Sequence, residues 1–235
     1  MLNAVCDVFK EAYSRNWITT RDGNASVRRP NDPFFYVTPS GVRKNKLEPE
    51  MMIKLDIDKE GTSREKWLNQ NEGLLKQQLN RGLSPTGELP LHWLLQRNLG
   101  NTEHPRVVMH LHPTHIIAAM HAGVNLKYIA SIFPELSRYT SVGNTVEYIP
   151  PITEQLGVAT SAAFFDKSDL WNIGLETAKH VFVNYQPTCN IVGLKNHGVV
   201  SIGIDPWDAF EHIERLNHIC EIFLLANKNE FKENT

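Results

Sequence analysis

Apolar residues recur at helical spacing at Val5, Phe9, Ala12 and Tyr13, with charged residues between them, which predicts an amphipathic helix from the N-terminus to about Trp17. "RDGN" breaks it. "NASVRR" and "FFYVTPSG" read as two strands separated by the turn signal "RPNDP", with "PSG" closing the second in a turn, and "MMIKLDID" as a third. The polar tract from Lys59 to Gln70 reads as a surface connection, and the segment after it carries no clear period. From Pro90, "PLHWLLQRNL" has a proline at a helix start and leucines on one face. "RVVMHLH" is a strand by its β-branched residues, and "PTHIIAAMHAG" a helix begun at the proline and stopped at Gly123. Short strands and loops are expected over 124–152, then helices over about Ile152 to Phe165 and Ile173 to Tyr185. "CNIVGLKNHGVVSIG" gives strand, turn at Asn196 to Gly198, and strand, before the closing helix "PWDAFEHIERLNHICEIFLLANK". Interleaved helices and strands predict an α/β layered domain, read as one unit over residues 1–235.

Composition agrees with a folded chain able to bury a core, with 41% hydrophobic and 21% charged residues. A formal net charge of -2 gives no general attraction to nucleic acid or anionic lipid, so any positive charge that matters is local. The N-terminal "MLNAVCDVFKEAYSRNW" carries acidic residues where a signal peptide needs an apolar run, and no segment approaches the roughly 18 apolar residues of a membrane span. A cytoplasmic protein with no membrane or nucleic-acid partner is expected. Cys6, Cys189 and Cys220 are odd in number and far apart, which suits reduced, packed thiols.

The chemistry concentrates in "VVMHLHPTHIIAAM". Alternate residues of a strand share a face, so His110 and His112 point the same way, close enough to share one ion in a geometry that suits zinc; two packed core histidines are the competing reading. His115 lies on the following helix and faces elsewhere. A third ligand is offered by His197 in "LKNHGVVSIG", where a strand-end turn would aim the imidazole inward and Gly198 would allow close backbone packing, unless it is a plain hairpin corner. His92, His104, His121, His180, His212 and His218 have no partner at ligand spacing. Three imidazoles with an open fourth position make a catalytic zinc site, which also needs a base. Glu88, in "LSPTGELPLHW", is either that base or an acid stabilised by the dipole of the helix it precedes. "DGNAS" and "TPSG" place glycine and small hydroxyl or amide side chains at strand junctions, as phosphate holders do and as ordinary turns do. Arg43, Lys44 and Lys46 follow as a solvated run that could add local positive charge.

Taken in order, "DGNASVR", "YVTPSG", "PTGELP", "MHLHPTH" and "KNHGVVSIG" resemble the class II aldolase and adducin family of sugar-phosphate enzymes over about residues 5–225. The resemblance implies a three-layer α/β/α fold around a central, mostly antiparallel sheet and a homotetramer with active sites between subunits. It implies one zinc ion per subunit on His110, His112 and His197, Glu88 as acid/base, and a phosphate site at Asn24, Ser40, Gly41, Thr86 and Gly87. A glutamate at 88, where the family's pentulose-phosphate 4-epimerases carry aspartate, favours an aldolase. "PTGELPLHWLL" and "TEQLGVAT" look most like the branch cleaving L-rhamnulose 1-phosphate, then the L-fuculose 1-phosphate branch. A methylthioribulose-phosphate dehydratase, an epimerase and a non-catalytic adducin-like interaction protein are the alternatives. For the second acid, relatives use the region where Tyr139 and Glu135 stand here, and Arg21 replaces the small or polar residue usual three before Asn24.

Overall fold

The structure, a computed structural model, describes residues 1–59, 81–99, 106–181 and 186–228, together with 69, 73 and 76. Most of the Lys59–Gln70 tract, the segment after it, and His104 lie outside the described residues.

Six strands form one antiparallel sheet: β1 Asn24–Arg28, β2 Phe34–Val37, β3 Ile53–Asp56, β4 Arg106–Leu111, β5 Ile191–Leu194 and β6 Gly198–Gly203, in the order β3-β2-β1-β4-β6-β5. β1 and β4 lie at its centre, in a register that sets Asn24 beside His110 and Ser26 beside Val108. Alternation along these strands sorts their side chains between two cores. Ala25, Val27, Val107, Met109, Leu111 and Val199 pack on one face against helices α1 Leu2–Ser14, α3 Thr114–His121, α4 Leu126–Ile132 and α8 Pro206–Ala226. Val108, Val192, Leu194, Val200 and Ile202 face the other way, against α2 Leu89–Asn98 and α6 Glu154–Phe164. The predicted α/β/α layering and antiparallel sheet are what is found.

α2 is buried on nearly all sides. Trp93, at 0% exposure, fills the gap between it and β3, and its indole N–H donates to the Ile57 carbonyl (3.0 Å). Truncating so buried a tryptophan typically costs about 3 to 5 kcal/mol, so the helix that carries Glu88 at its start is firmly seated.

Some boundaries differ from those predicted. α1 ends at Ser14 because Asn16 takes a left-handed conformation (φ 58°), and Trp17 then turns inward onto Phe210. Strands and loops were expected over 124–152, but α4 and α5 (Pro134–Tyr139) stand there, one capped by Asn125 and the other opened by Pro134. They are seven and six residues long, too short to show a period. The helix placed from Ile152 begins at Glu154, capped by the Thr153 hydroxyl, and the one placed at 173–185 is described as α7, Leu175–Val181. Lys44, expected in a solvated run, is buried at 2% exposure. Gly41 (φ 72°) reverses the chain after the "TPSG" turn, and Leu47 plugs into the core, so the intervening turn drives the lysine inward.

Candidate active site

β4 ends at Leu111, with His110 on the α2 side and His112 one residue beyond the strand, held by its N–H on the Trp17 carbonyl (2.9 Å). The hairpin joining β5 to β6 turns through Asn196 (φ 57°) and swings His197 toward them. Three imidazoles therefore meet: ring centroids are 4.7 Å apart for His110 and His197, 4.8 Å for His110 and His112, and 5.3 Å for His112 and His197. One ring nitrogen from each lies within 4.8 Å of the others. His110 Nδ1–H donates to the Val199 carbonyl (2.9 Å), which fixes the ring's orientation and turns Nε2 toward His112 Nε2 at 3.0 Å. Burial pushes the His112 imidazole down to about 3 and that of His197 down to about 4, each aided by neighbouring His110, so both are neutral donors at physiological pH. His197 Nδ1 is buried with no hydrogen-bond partner.

Glu88 caps this trio from the start of α2. Its Oε2 lies 3.4 Å from His110 Nε2 and its Oε1 3.5 Å from His197 Nε2. At 7% exposure burial pushes the carboxyl upward, but His110, the Asn24 amide, His197 and His92 more than offset this and hold it below the ordinary glutamate range. It stands at neutral pH as a buried carboxylate. Its Oε1 has no hydrogen-bond partner. Imidazoles converging on one point, those of His112 and His197 neutral, with an orphaned buried nitrogen and an orphaned carboxylate oxygen beside them, fit a divalent metal ion well.

The cleft in front of Glu88 encloses about 190 Å³ and is lined by the trio, Asn24, Ser40, Gly41, Thr86 and Gly87. The "TPSG" and "SPTG" turns are sewn together by Ser40 N–H to the Ser84 carbonyl (2.7 Å) and Thr86 N–H to the Thr38 carbonyl (3.1 Å). The Asn24 side chain is turned away from the turns: its Nδ2 donates to Glu88 Oε2 (2.8 Å), and its Oδ1 meets His92 Nε2 (2.5 Å). Lys44 and Arg21 reach the same cleft. The Lys44 ammonium donates to the carbonyls of Pro39 (3.0 Å) and Arg21 (3.4 Å), and among the described residues no carboxylate lies within 4.0 Å of it. Burial pulls it down to about 8. Ile152 also lines the cleft in a left-handed conformation (φ 65°), rare for a β-branched residue.

Tyr139 and Glu135 are not brought to the cleft. Both stand on the exposed face of α5, where the Tyr139 ring lies beneath the Arg138 and Arg215 guanidiniums. His115 turns toward Asn217 and Glu221 on α8. His92 is fully buried, and His212 hydrogen-bonds Thr140. The three cysteines are free and buried, with thiols pushed up by burial to about 11 or 12, as inert packing groups are. The sequence reading passed over the roles of Ile152 and His92, and offered Lys44 as local positive charge but placed it in solvent. For His92 a signal existed: Glu88, His92 and Gln96 recur at i, i+4, i+8 on one helix face opposite alternate strand residues Asn24 and Ser26.

Comparison with known proteins places this architecture. The chain belongs to the class II aldolase and adducin family, since residues 3–224 match the model described as "Class II Aldolase and Adducin N-terminal domain". Fold, family and relatives are those of a metal-dependent enzyme of the class II aldolase type. A methylthioribulose-1-phosphate dehydratase of Komagataella phaffii (strain GS115) is 21% identical over 226 residues, covering 94% of this chain and 81% of that one. One of Saccharomyces cerevisiae (strain YJM789) is 37% identical over 54 residues, a match that spans 23% of this chain and 22% of that protein. Among solved structures, an L-fuculose 1-phosphate aldolase superposes with a TM-score of 0.65 at 16% identity, over 97% of this chain and 86% of that one. The l-fuculose-1-phosphate aldolase from Thermus Thermophilus does so with 0.62 at 16% identity, over 96% and 95%. At such identity these likenesses show the fold. Among the described residues no helix is long and apolar enough to cross a membrane.

Proposed function

We propose that this chain cleaves a ketose 1-phosphate, L-rhamnulose 1-phosphate or L-fuculose 1-phosphate, to dihydroxyacetone phosphate and an aldehyde such as L-lactaldehyde. The observation that carries the reading is the Glu88 carboxylate set 3.4 and 3.5 Å from two of three converging imidazoles. His110, His112 and His197 would hold one zinc ion, which when bound supplies Lewis-acid polarisation of the substrate's carbonyl and neighbouring hydroxyl oxygens.

This chain's residues account for the remaining steps. A proton leaves the hydroxyl on the far carbon, the carbon–carbon bond breaks to give the aldehyde, and the electron pair stays on the carbon next to the ketone. In the condensation direction the Glu88 carboxylate takes a proton from that carbon as a general base, and cleavage retraces the transfer, the carbon regaining a proton from the Glu88 carboxyl as the far hydroxyl loses one. The phosphate lies against Ser40, Gly41, Thr86 and Gly87, with Lys44 and Arg21 as its counter-charges and the Asn24 backbone at the floor. In condensation the Tyr139 phenol of a neighbouring copy in a homotetramer gives its proton to the aldehyde oxygen, and cleavage retraces that transfer; within one chain this tyrosine is on an exposed face. Three free cysteines are in keeping with a cytoplasmic setting.

A dehydratase acting on methylthioribulose 1-phosphate is the second reading, favoured by the names of the curated relatives. It would use the same base on the same carbon and expel the neighbouring hydroxyl as water instead of breaking the carbon chain. Incubation with the rhamnulose, fuculose, ribulose and methylthioribulose phosphates, assayed for dihydroxyacetone phosphate, separates the two. Glu88→Gln should lower kcat by roughly 10² to 10⁴ with zinc content unchanged, and an unaltered rate would remove Glu88 from the chemistry.

A further inference from the structure

Behind Glu88 runs a file of buried polar side chains, from α2 across to β1 and back. Gln96 Nε2 donates to the Ser26 hydroxyl (2.9 Å), Ser26 Oγ lies 2.9 Å from His92 Nδ1, His92 Nε2 lies 2.5 Å from Asn24 Oδ1, and Asn24 Nδ2 donates to Glu88 Oε2 (2.8 Å). Ser26, His92 and Gln96 are each at 0% exposure, and Asn24 and Glu88 at 7%.

Only one arrangement of protons satisfies the file. The Glu88 carboxylate can only accept, so the Asn24 NH₂ must face it and the Asn24 carbonyl must face His92. A carbonyl cannot donate, so His92 carries its proton on Nε2 and leaves Nδ1 to accept from the Ser26 hydroxyl, whose lone pairs take the Gln96 amide. Every donor points toward Glu88, and hydrogen bonds aligned in one direction away from water polarise one another. A second proton on His92 would have to reverse the Ser26 hydroxyl, and complete burial opposes that charge. The carboxylate is thereby tethered by Oε2 alone, while Oε1 is free and faces His197 across the cleft.

We propose that His92 is a positioning residue: through Asn24 it clamps Glu88 by Oε2, so that Oε1 is the oxygen that exchanges the proton with substrate. This rests on the reading of Glu88 as the base. Glu88, His110 and Lys44 fix where the chemistry happens, and the His92 file fixes which atom of the base performs it.

The test uses the full chain loaded with zinc and the ketose phosphate it turns over best. His92→Leu removes the donor to Asn24, and is expected to lower kcat by roughly 10- to 100-fold, the usual cost of losing such an outer partner, with KM and zinc content unchanged. His92→Gln, whose amide nitrogen can stand where Nε2 stood, should recover much of that loss. Equal kcat in His92→Leu and wild type overturns the proposal, as does a loss that tracks zinc or folded fraction with no recovery in His92→Gln. Glu88→Gln separates the two levels. Unchanged turnover there overturns the reading of Glu88 as base, whereas loss in Glu88→Gln with normal kcat in His92→Leu overturns the His92 role alone. Should His92→Leu not fold, long-range proton–nitrogen NMR of the wild-type imidazoles decides, with His92 assigned by its disappearance in His92→Gln. A proton on Nε2 and a bare Nδ1 are expected, and a proton on Nδ1 alone overturns the assignment.

Discussion

Gly198 passes so close to Leu111 that a Cβ at 198 would sit 2.5 Å from the Leu111 carbonyl oxygen, and 2.7 Å from His112 Cδ2 and 3.0 Å from His110 Cε1. The first contact is with backbone, which has no rotamer to escape into.

Gly198→Ala is therefore expected to push β6 away from β4 and spread the three imidazoles. A loss of about 1 to 3 kcal/mol in urea denaturation is expected from overpacking, together with weakened zinc retention in chelator competition. Wild-type zinc affinity in a stable variant would mean that the hairpin does not set the site.

Metal should couple to stability as well as to turnover. Zinc that binds only the folded chain raises its unfolding temperature, by about 2.7 kcal/mol of stabilisation at a hundredfold excess over Kd. His110→Ala, which removes the proposed ligand pinned by the Val199 carbonyl, should abolish that increment, whereas His115→Ala, on the α8 side, should preserve it. An unchanged increment in His110→Ala contradicts the ligand assignment.

Lys44 should make anion binding at the cleft depend on pH in a definite direction. With its ammonium pulled down to about 8, the cleft holds a full positive charge below that pH and loses it above. Inorganic sulfate, whose charge is constant across this range, should bind progressively more weakly as pH rises through 8, and Lys44→Met should flatten the profile. Stability runs the other way. The folded chain sheds this proton near 8 and the unfolded chain near 10.5, so the burial penalty is complete below pH 8 and relieved between those values. Stability conferred by Lys44→Met relative to wild type should thus be greatest at pH 7 and shrink by pH 9.5 in denaturant titrations.

Ile152 sits beside Gly87 with its backbone in the left-handed region, a strain of order 1 to 3 kcal/mol for such a residue. It is 62% exposed, so little burial offsets it. Ile152→Asn, which tolerates that backbone, should raise the urea midpoint while lowering kcat/KM for substrates with an apolar aldehyde end, because the cleft loses an apolar wall. A lowered midpoint would show that the isoleucine is there for packing.

The residues of the trio were legible in advance because strand alternation is local: two histidines one residue apart must share a face, and "NHG" between two apolar runs must turn. Long, strongly periodic elements such as α8 were legible for the same reason. Short helices α4 and α5 were not, since six or seven residues hold too few turns for a period to emerge. Tyr139, nominated as the second acid, stands on α5 away from the cleft of its own chain, and no local pattern could have located it.

By itself, the sequence determined the layered α/β plan, the shared face of His110 and His112 and the place of Glu88 before α2, which follow from periodicity or neighbouring residues, whereas the family resemblance was what joined His197 and Glu88 to them as one site. Tertiary structure alone decided that Lys44 is a buried cation with no carboxylate within 4.0 Å among the described residues, that Asn24 serves Glu88, and that His92 stands behind both. The physical reason is burial. Whether a lysine, an amide or an imidazole is solvated or committed depends on what the surrounding fold brings against it, and apart from the Pro39 carbonyl beside Lys44 those partners lie about twenty to seventy residues away in the chain.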